Sequence, residues 1–145
     1  MSVLKSQQTK SNVEFLRQSR ELELLMIRVC DKKAKKHQAF LTQELVLPTA
    51  RVYTYIKSAN AIFINKKELD LYIMRRNMFK QAITLLQGIS AQLDIFHDLY
   101  SSDGFSNHEY QELIGYTTEL RNMISAVILY DKEKAEKLGL LGEDC

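Results

Sequence analysis

The sequence predicts an all-α protein, an up-down-up-down four-helix bundle, and three observations carry that prediction. The first is the stretch Glu68–Tyr100, which contains no proline and a single glycine, Gly88. Within it Tyr72, Phe79, Leu86, Leu93 and Tyr100 fall seven apart, with Ala82, Ile89 and Phe96 between them. The apolar seam therefore steps by three and four, as a helix packed along its length requires. At ~1.5 Å per residue this helix is roughly 50 Å long. The second observation is a further stripe, Leu71, Met78, Leu85 and Leu99, beside the first. The buried face is then wider than one partner helix can cover, which calls for a bundle. The third is that one proline and five glycines in 145 residues are too few for a turn-rich β fold.

The elements follow in order. Residues 1–10 show no periodicity and are expected to form a flexible tail, with the bundle at 11–137 and a second flexible tail at 138–145. Ser11-Asn12-Val13-Glu14 reads as a capping box opening a first helix that runs to about Asp31. Phe15, Ser19, Leu22, Met26 and Val29 form its inward stripe. Asp31–Lys36 holds four lysines and is the expected first turn. A second helix covers His37–Phe63, with Leu41, Pro48, Tyr55 and Ile62 seven apart and Leu45, Val52 and Ala59 between them. Pro48 removes one backbone donor and crowds the carbonyl of Glu44. Because the same seam continues on both sides, a kink near Glu44–Leu47 is expected, not a break. Asn65-Lys66-Lys67-Glu68 reads as a second capping box. Tyr100–Phe105 is a tight connection, and Ser106-Asn107-His108-Glu109 a third box. The last helix faces Tyr110, Leu113, Thr117, Leu120, Ile124 and Val127 inward, fades through Asp131–Lys137 and stops by Gly139 or Gly142.

Composition is ordinary for a globular domain, 46% apolar and 26% charged. Cys30 and Cys145 form neither a ligand spacing nor a disulfide framework, which fits a reducing, cytoplasmic compartment. The N-terminus has no apolar core of signal-peptide length, and no run approaches the ~20 residues of a membrane span. There is no glycine-rich phosphate loop and no nucleophile elbow. Asp94 and His97 lie one turn apart on a helix, as in di-metal bundles. Those need a second such pair and two more carboxylates, so the pair reads as a helix-surface contact. No catalytic residue, metal ligand or cofactor is expected.

Charge is unevenly placed. Residues 1–67 carry thirteen Lys/Arg against five Asp/Glu, a net +8, and residues 68–145 carry seven against thirteen, a net −6. Such asymmetry suits either a polyanion partner or pairing between halves or subunits. Lys32, Lys33, Lys35, Lys36, Arg51, Lys57, Lys66, Lys67, Arg75 and Arg76 are the candidate phosphate contacts; the alternative is a solvated helical face. Phe15, Leu16, Leu22, Leu24, Leu25 and Ile27 spread round most of the first helix. That excess is expected to bury against a second copy of the chain.

Several segments resemble a known family. Met1-Ser2-Val3-Leu4-Lys5-Ser6, Lys57-Ser58-Ala59-Asn60-Ala61-Ile62, and Arg75-Arg76 followed by an Ala/Leu seam are similar to the accessory variability determinants. These are the four-helix-bundle accessory proteins of diversity-generating retroelements. A more distant likeness is to the intervening-sequence proteins of ribosomal RNA genes. The resemblance spans about Ser11 to Lys137 as pattern. It implies a ring-like homo-oligomer, a pentamer, without catalytic activity. It further implies binding to a reverse transcriptase and to template RNA and cDNA during mutagenic copying. The chain departs from the family in its net charge of only +2 and in Pro48, which shifts weight toward the polymerase partner. The competing expectation is a helical protein-interaction module of a mobile element that touches no nucleic acid.

Overall fold

The computed structural model describes the backbone of residues 2–65, 68–100 and 105–141, and the side chains of the first helix from Glu14 onward. Helix α1 spans Ser2–Asp31. It begins nine residues before the expected capping box, because residues 2–13 contain neither proline nor glycine to stop it. Ser11 therefore lies inside the helix. The Glu14 carboxylate accepts from Arg17 at 2.7 Å and Gln18 at 3.5 Å instead of reaching back to a cap. The inward stripe is as expected: Phe15, Ser19, Leu22, Met26 and Val29 are all buried.

A 3-10 turn at Lys35–His37 leads into a continuous helical run made of α2 (Gln38–Leu41), a wide π-helical turn at Thr42–Val46, and α3 (Leu47–Asn60). Pro48 does not break the run. The turn ahead of it widens, which accommodates the missing donor and the crowded Glu44 carbonyl. The Thr49 hydroxyl donates to the carbonyl of Leu45 at 2.7 Å. Leu45, Val52 and Ala59 keep their expected places in the seam. Thr49 and Ile56 are buried where the repeat pointed to Pro48 and Tyr55.

Helix α4 spans Leu69–Tyr100 and buries Tyr72, Arg75, Phe79, Ala82, Leu86, Ile89, Leu93 and Phe96. The expected seam is present, with one addition. Arg75 sits in it, three residues after Tyr72 and four before Phe79. The helix starts after Glu68, and the box expected at Asn65–Glu68 runs through positions that are not described. Lys66 and Lys67 lie outside the described residues, as does the turn Ser101–Gly104. Helix α5 spans Asn107–Lys137 and opens on the expected capping box: the Glu109 amide donates to Ser106 Oγ at 3.1 Å, and the Ser106 amide to the Glu109 carboxylate at 3.3 Å. Its seam continues past Val127 to Asp131 and Ala135, both buried. Gly139, at φ 74°, turns the chain, and the Leu140 amide donates to Ala135 at 3.0 Å. A side chain would be strained in that left-handed conformation. Leu138, Leu140 and Leu141 fold back against Ile64, Tyr72 and Ala135. The expected tail at 138–145 thus packs through residue 141; the last four residues lie outside the described ones.

The neighbour relations close a square: α1 on α3, α3 on α4, α4 on α5, and α5 on α1. At one end the Lys33 side chain meets Glu109 and Phe105, while Phe40 meets Phe96. At the other end Arg75 meets Asp131 and the close of α3. Successive helices therefore alternate in direction, the arrangement expected of short links. Across the diagonal, the Phe15 and Phe79 rings meet at 5.8 Å. Among the described residues no helix is long and apolar enough to cross a membrane.

Among the described residues, one pair of charged side chains lies in the buried interior. Arg75 Nε donates to Asp131 Oδ2 at 2.7 Å and Nη2 to Oδ1 at 3.4 Å, while Nη1 donates to the carbonyls of Ala59 at 3.2 Å and Ile62 at 3.0 Å. The guanidinium lies over the Phe79 ring. Burial pushes the Asp131 carboxyl above its ordinary value against the pull of Arg75. One side chain thus serves carbonyls at the close of α3, Ile62 and, beside its backbone donor, Ala59, and ties α4 to α5. Asp131→Ala is expected to cost about 3–5 kcal/mol by leaving a buried guanidinium unpaired. At this chain length that lowers the melting temperature by roughly 6–20 °C in a thermal circular-dichroism scan. Arg75→Met with Asp131→Leu should recover part of the loss and not all of it, since the Ile62 carbonyl loses the Arg75 donor. An unchanged melting point for Asp131→Ala would put the pair outside the folded core.

Candidate nucleic-acid interface

The ten basic candidates separate into three groups. Lys32, Lys35 and Lys36 project from the α1–α2 connection and are exposed. That connection is well held: the Gln38 side-chain amide donates to the carbonyls of Cys30 at 2.7 Å and Lys33 at 2.9 Å, and the His37 amide donates to Ala34 at 2.9 Å. Arg51 is exposed midway along α3. Lys57, in the last turn of α3, is exposed and lies over the Tyr53 ring at 5.8 Å. Lys66 and Lys67 lie outside the described residues.

The remaining three are engaged within the fold. Arg75 is withdrawn from the candidate interface, being 8% exposed and committed to Asp131. Lys33 also turns inward. Its ammonium pairs with Glu109 at 2.8 Å and lies over the Phe105 ring at 5.2 Å. Arg76 is half-buried over the Tyr72 ring at 5.6 Å. The surviving cations do not form one patch. Lys32, Lys35 and Lys36 sit at one end of the bundle and Lys57 at the other, some twenty residues of helix or about 30 Å apart. With a Debye length of about 8 Å at physiological salt, the two ends act independently on an anion.

The halves of the chain differ in charge mainly through their connections. From Glu14 to Asp31, α1 carries three arginines against four carboxylates. That part of the helix is close to neutral, whereas the lysine-rich link after it is basic.

Other titratable groups that meet are used in joining helices. The Tyr110 hydroxyl of α5 donates to Asp94 of α4, and His97 stacks on the Tyr110 ring at 4.2 Å. Asp94 is exposed and His97 half-buried, and both contact α5 through Tyr110. Among the described residues no three His, Cys, Asp or Glu side chains are grouped to hold a metal ion. Cys30 is buried, and desolvation pushes its thiol up to about 12, so it is protonated at neutral pH. A shallow groove runs along the outer face of α5 past Ile114, Gly115, Thr118, Asn122 and Ala126, too open to enclose a small molecule.

Sequence reasoning missed Asp131, Glu109 and Tyr110 as partners. For Asp131 a signal existed: it lies seven residues after Ile124, on the seam register. Nothing in the sequence paired Glu109 with Lys33, because the contact spans 76 positions. In comparisons with known proteins, no family model, no curated protein and no solved structure matches the chain.

The Lys33–Glu109 contact gives a pH prediction. Burial raises the Glu109 carboxyl, but hydrogen bonds from Lys33 and Ser106 outweigh it and leave the group below its ordinary 4.5. A depressed carboxylate contributes stability above its unfolded pKa and loses it as pH falls through the folded one. Wild type should therefore lose more melting temperature than Glu109→Gln between pH 6 and pH 3. Carboxylates elsewhere are common to both proteins and cancel in the comparison. Equal losses in paired thermal melts would show that the contact carries no linked proton.

Proposed function

We propose that this chain is a non-enzymatic adaptor: a self-associating four-helix bundle that serves as an accessory protein to a reverse transcriptase of a diversity-generating retroelement. The observation that supports an adaptor is the division of labour among its side chains. The titratable groups that converge (Arg75 with Asp131, Lys33 with Glu109, Asp94 with Tyr110) bridge helices, and large apolar side chains remain outside. Phe63 is 80% exposed, Leu99 63% and Leu129 59%. Such surface suits protein partners. The polymerase and the pentameric ring come from the family resemblance of the sequence.

Template RNA and cDNA are the second class of partner in this reading, and the contact assigned to them is the lysine-rich connection. Lys32, Lys35 and Lys36 are exposed on a turn whose backbone is fixed, a geometry that neutralises phosphates without reading bases. A second reading, a protein-interaction module of a mobile element with no nucleic-acid contact, is favoured by the inward commitment of Arg75 and Lys33.

A salt titration separates the two. Three phosphate contacts per subunit give a slope of about −2 in log K against log salt for single strands. Changing Lys32, Lys35 and Lys36 together to Gln should flatten that slope and leave the melting temperature within about 2 °C, since exposed charges contribute little to stability. Binding that is absent, or indifferent to salt, removes nucleic acid from the partners and leaves the protein-only module.

Light scattering tests assembly. A pentamer scatters as five times the 16.8 kDa chain at micromolar concentration; a clean monomer overturns the ring.

A further inference from the structure

The half of the chain with a net negative charge carries a file of cations along one edge. Asp94 of α4 accepts from Tyr110 of α5, which fixes the side of each helix that faces the other. Arg76 lies eighteen residues before Asp94 and Lys80 fourteen. At ~100° per residue, Arg76 shares the direction of Asp94 and Lys80 is about 40° round from it. From Tyr110, Arg121 lies eleven residues on and Lys132 twenty-two, about 20° and 40° from its direction. All four therefore border the α4–α5 seam, with Lys80 and Lys132 exposed and Arg76 and Arg121 half-buried.

The pairs Asp94–Tyr110 and Arg75–Asp131 also set the antiparallel register. In it Arg121 stands about four residues from Lys80 along the axis, Lys80 four from Arg76, and Lys132 about three beyond Arg76. The file is then roughly 16 Å long. Neighbours are on the order of one Debye length apart, ~8 Å at physiological salt, so they act together on an anion. No carboxylate interrupts them. Helix α4 has none between Asp70 and Asp94. On α5, Glu112, Glu119 and Glu133 lie at least about 140° from Tyr110, and Asp131 is spent on Arg75. Asp94 and Glu136 mark the two ends of the file. Among the described residues none of the four cations is held in an ion pair. Stacking on Tyr72 holds the Arg76 guanidinium, yet its Nε is buried without a hydrogen-bond partner.

We infer that the phosphate backbone of a single-stranded nucleic acid lies along this edge, met by Arg76, Lys80, Arg121 and Lys132. The inference rests on the nucleic-acid partner of the proposed function and gives it a contact apart from the lysine-rich connection. Charge and shape select the occupant. Half-buried Ile83 and Ile128 line the seam between the cations. The nearest large exposed apolar side chains, Leu69 and Leu129, lie beyond its end and about 100° round α5. A protein partner would thus find no apolar centre to bury. In a duplex each backbone winds once round the axis in about 34 Å, so a straight file of half that length meets it only where it crosses. A flexible single strand can follow all four cations.

The test is fluorescence anisotropy of a labelled oligothymidylate over a range of salt, with thermal melts of the same proteins. Changing Arg76, Lys80, Arg121 and Lys132 together to Gln should reduce the slope of log K against log salt by about 3. Between about 50 and 200 mM salt, wild-type affinity should then fall about fiftyfold further than that of the variant. Lys80→Gln with Lys132→Gln, both exposed, should melt within about 2 °C of wild type and reduce the slope by about half as much. An unchanged slope in this paired variant overturns the edge and leaves Lys32, Lys35 and Lys36 as the contact. Wild type that binds no strand overturns the edge and the nucleic-acid partner together. Duplex bound as tightly as single strand, or polyglutamate displacing the strand as readily as unlabelled oligothymidylate does, overturns the single strand as occupant.

Discussion

The bundle depends on a single buried guanidinium. Arg75 meets three helices at once: its own α4, the closing carbonyls of α3 and the Asp131 carboxylate of α5. A helix end without partners inside a fold is costly, and so is a buried charge. Placed together, each answers the other. Ile64, Tyr72, Ala135 and the returning leucines from Leu138 to Leu141 then close an apolar lid around the assembly. Had the seam carried leucine at position 75, the helices would still attract, but the Ile62 carbonyl would lose its guanidinium donor.

The opposite end applies the same physics with different residues. Gln38 answers the carbonyls that close α1, and Glu109 caps α5 while holding Lys33. Long-range contacts therefore clamp both ends of the bundle. Between them the core is apolar and periodic, with Thr49 and Thr117 hydroxyls returning to their own helices at Leu45 and Leu113.

The surface is divided by chemistry. Cations gather on the links, where three lysines point outward from a fixed turn. Apolar side chains gather on helix edges, where backbone is rigid and partners pack as helices do. Exposed charge and exposed apolar surface thus occupy different parts of the bundle.

Periodicity alone determined the helices and most of the core. The α4 seam from Tyr72 to Phe96, the α1 stripe and the Ser106–Glu109 cap were all legible, because local spacing fixes which face of a helix is apolar. Tertiary structure decided what local spacing does not encode. Arg75 and Asp131 looked like surface charges until two distant seams brought them together, and Lys33 looked like its lysine neighbours until Glu109 turned it inward. The burial of Ile56 in place of Tyr55 was not legible from a strict seven-residue repeat through Pro48, because a wide turn precedes that proline. The candidate interface was accordingly less legible than the fold. An apolar stripe declares itself in sequence, whereas a charge is free or spent according to what lies across the bundle from it.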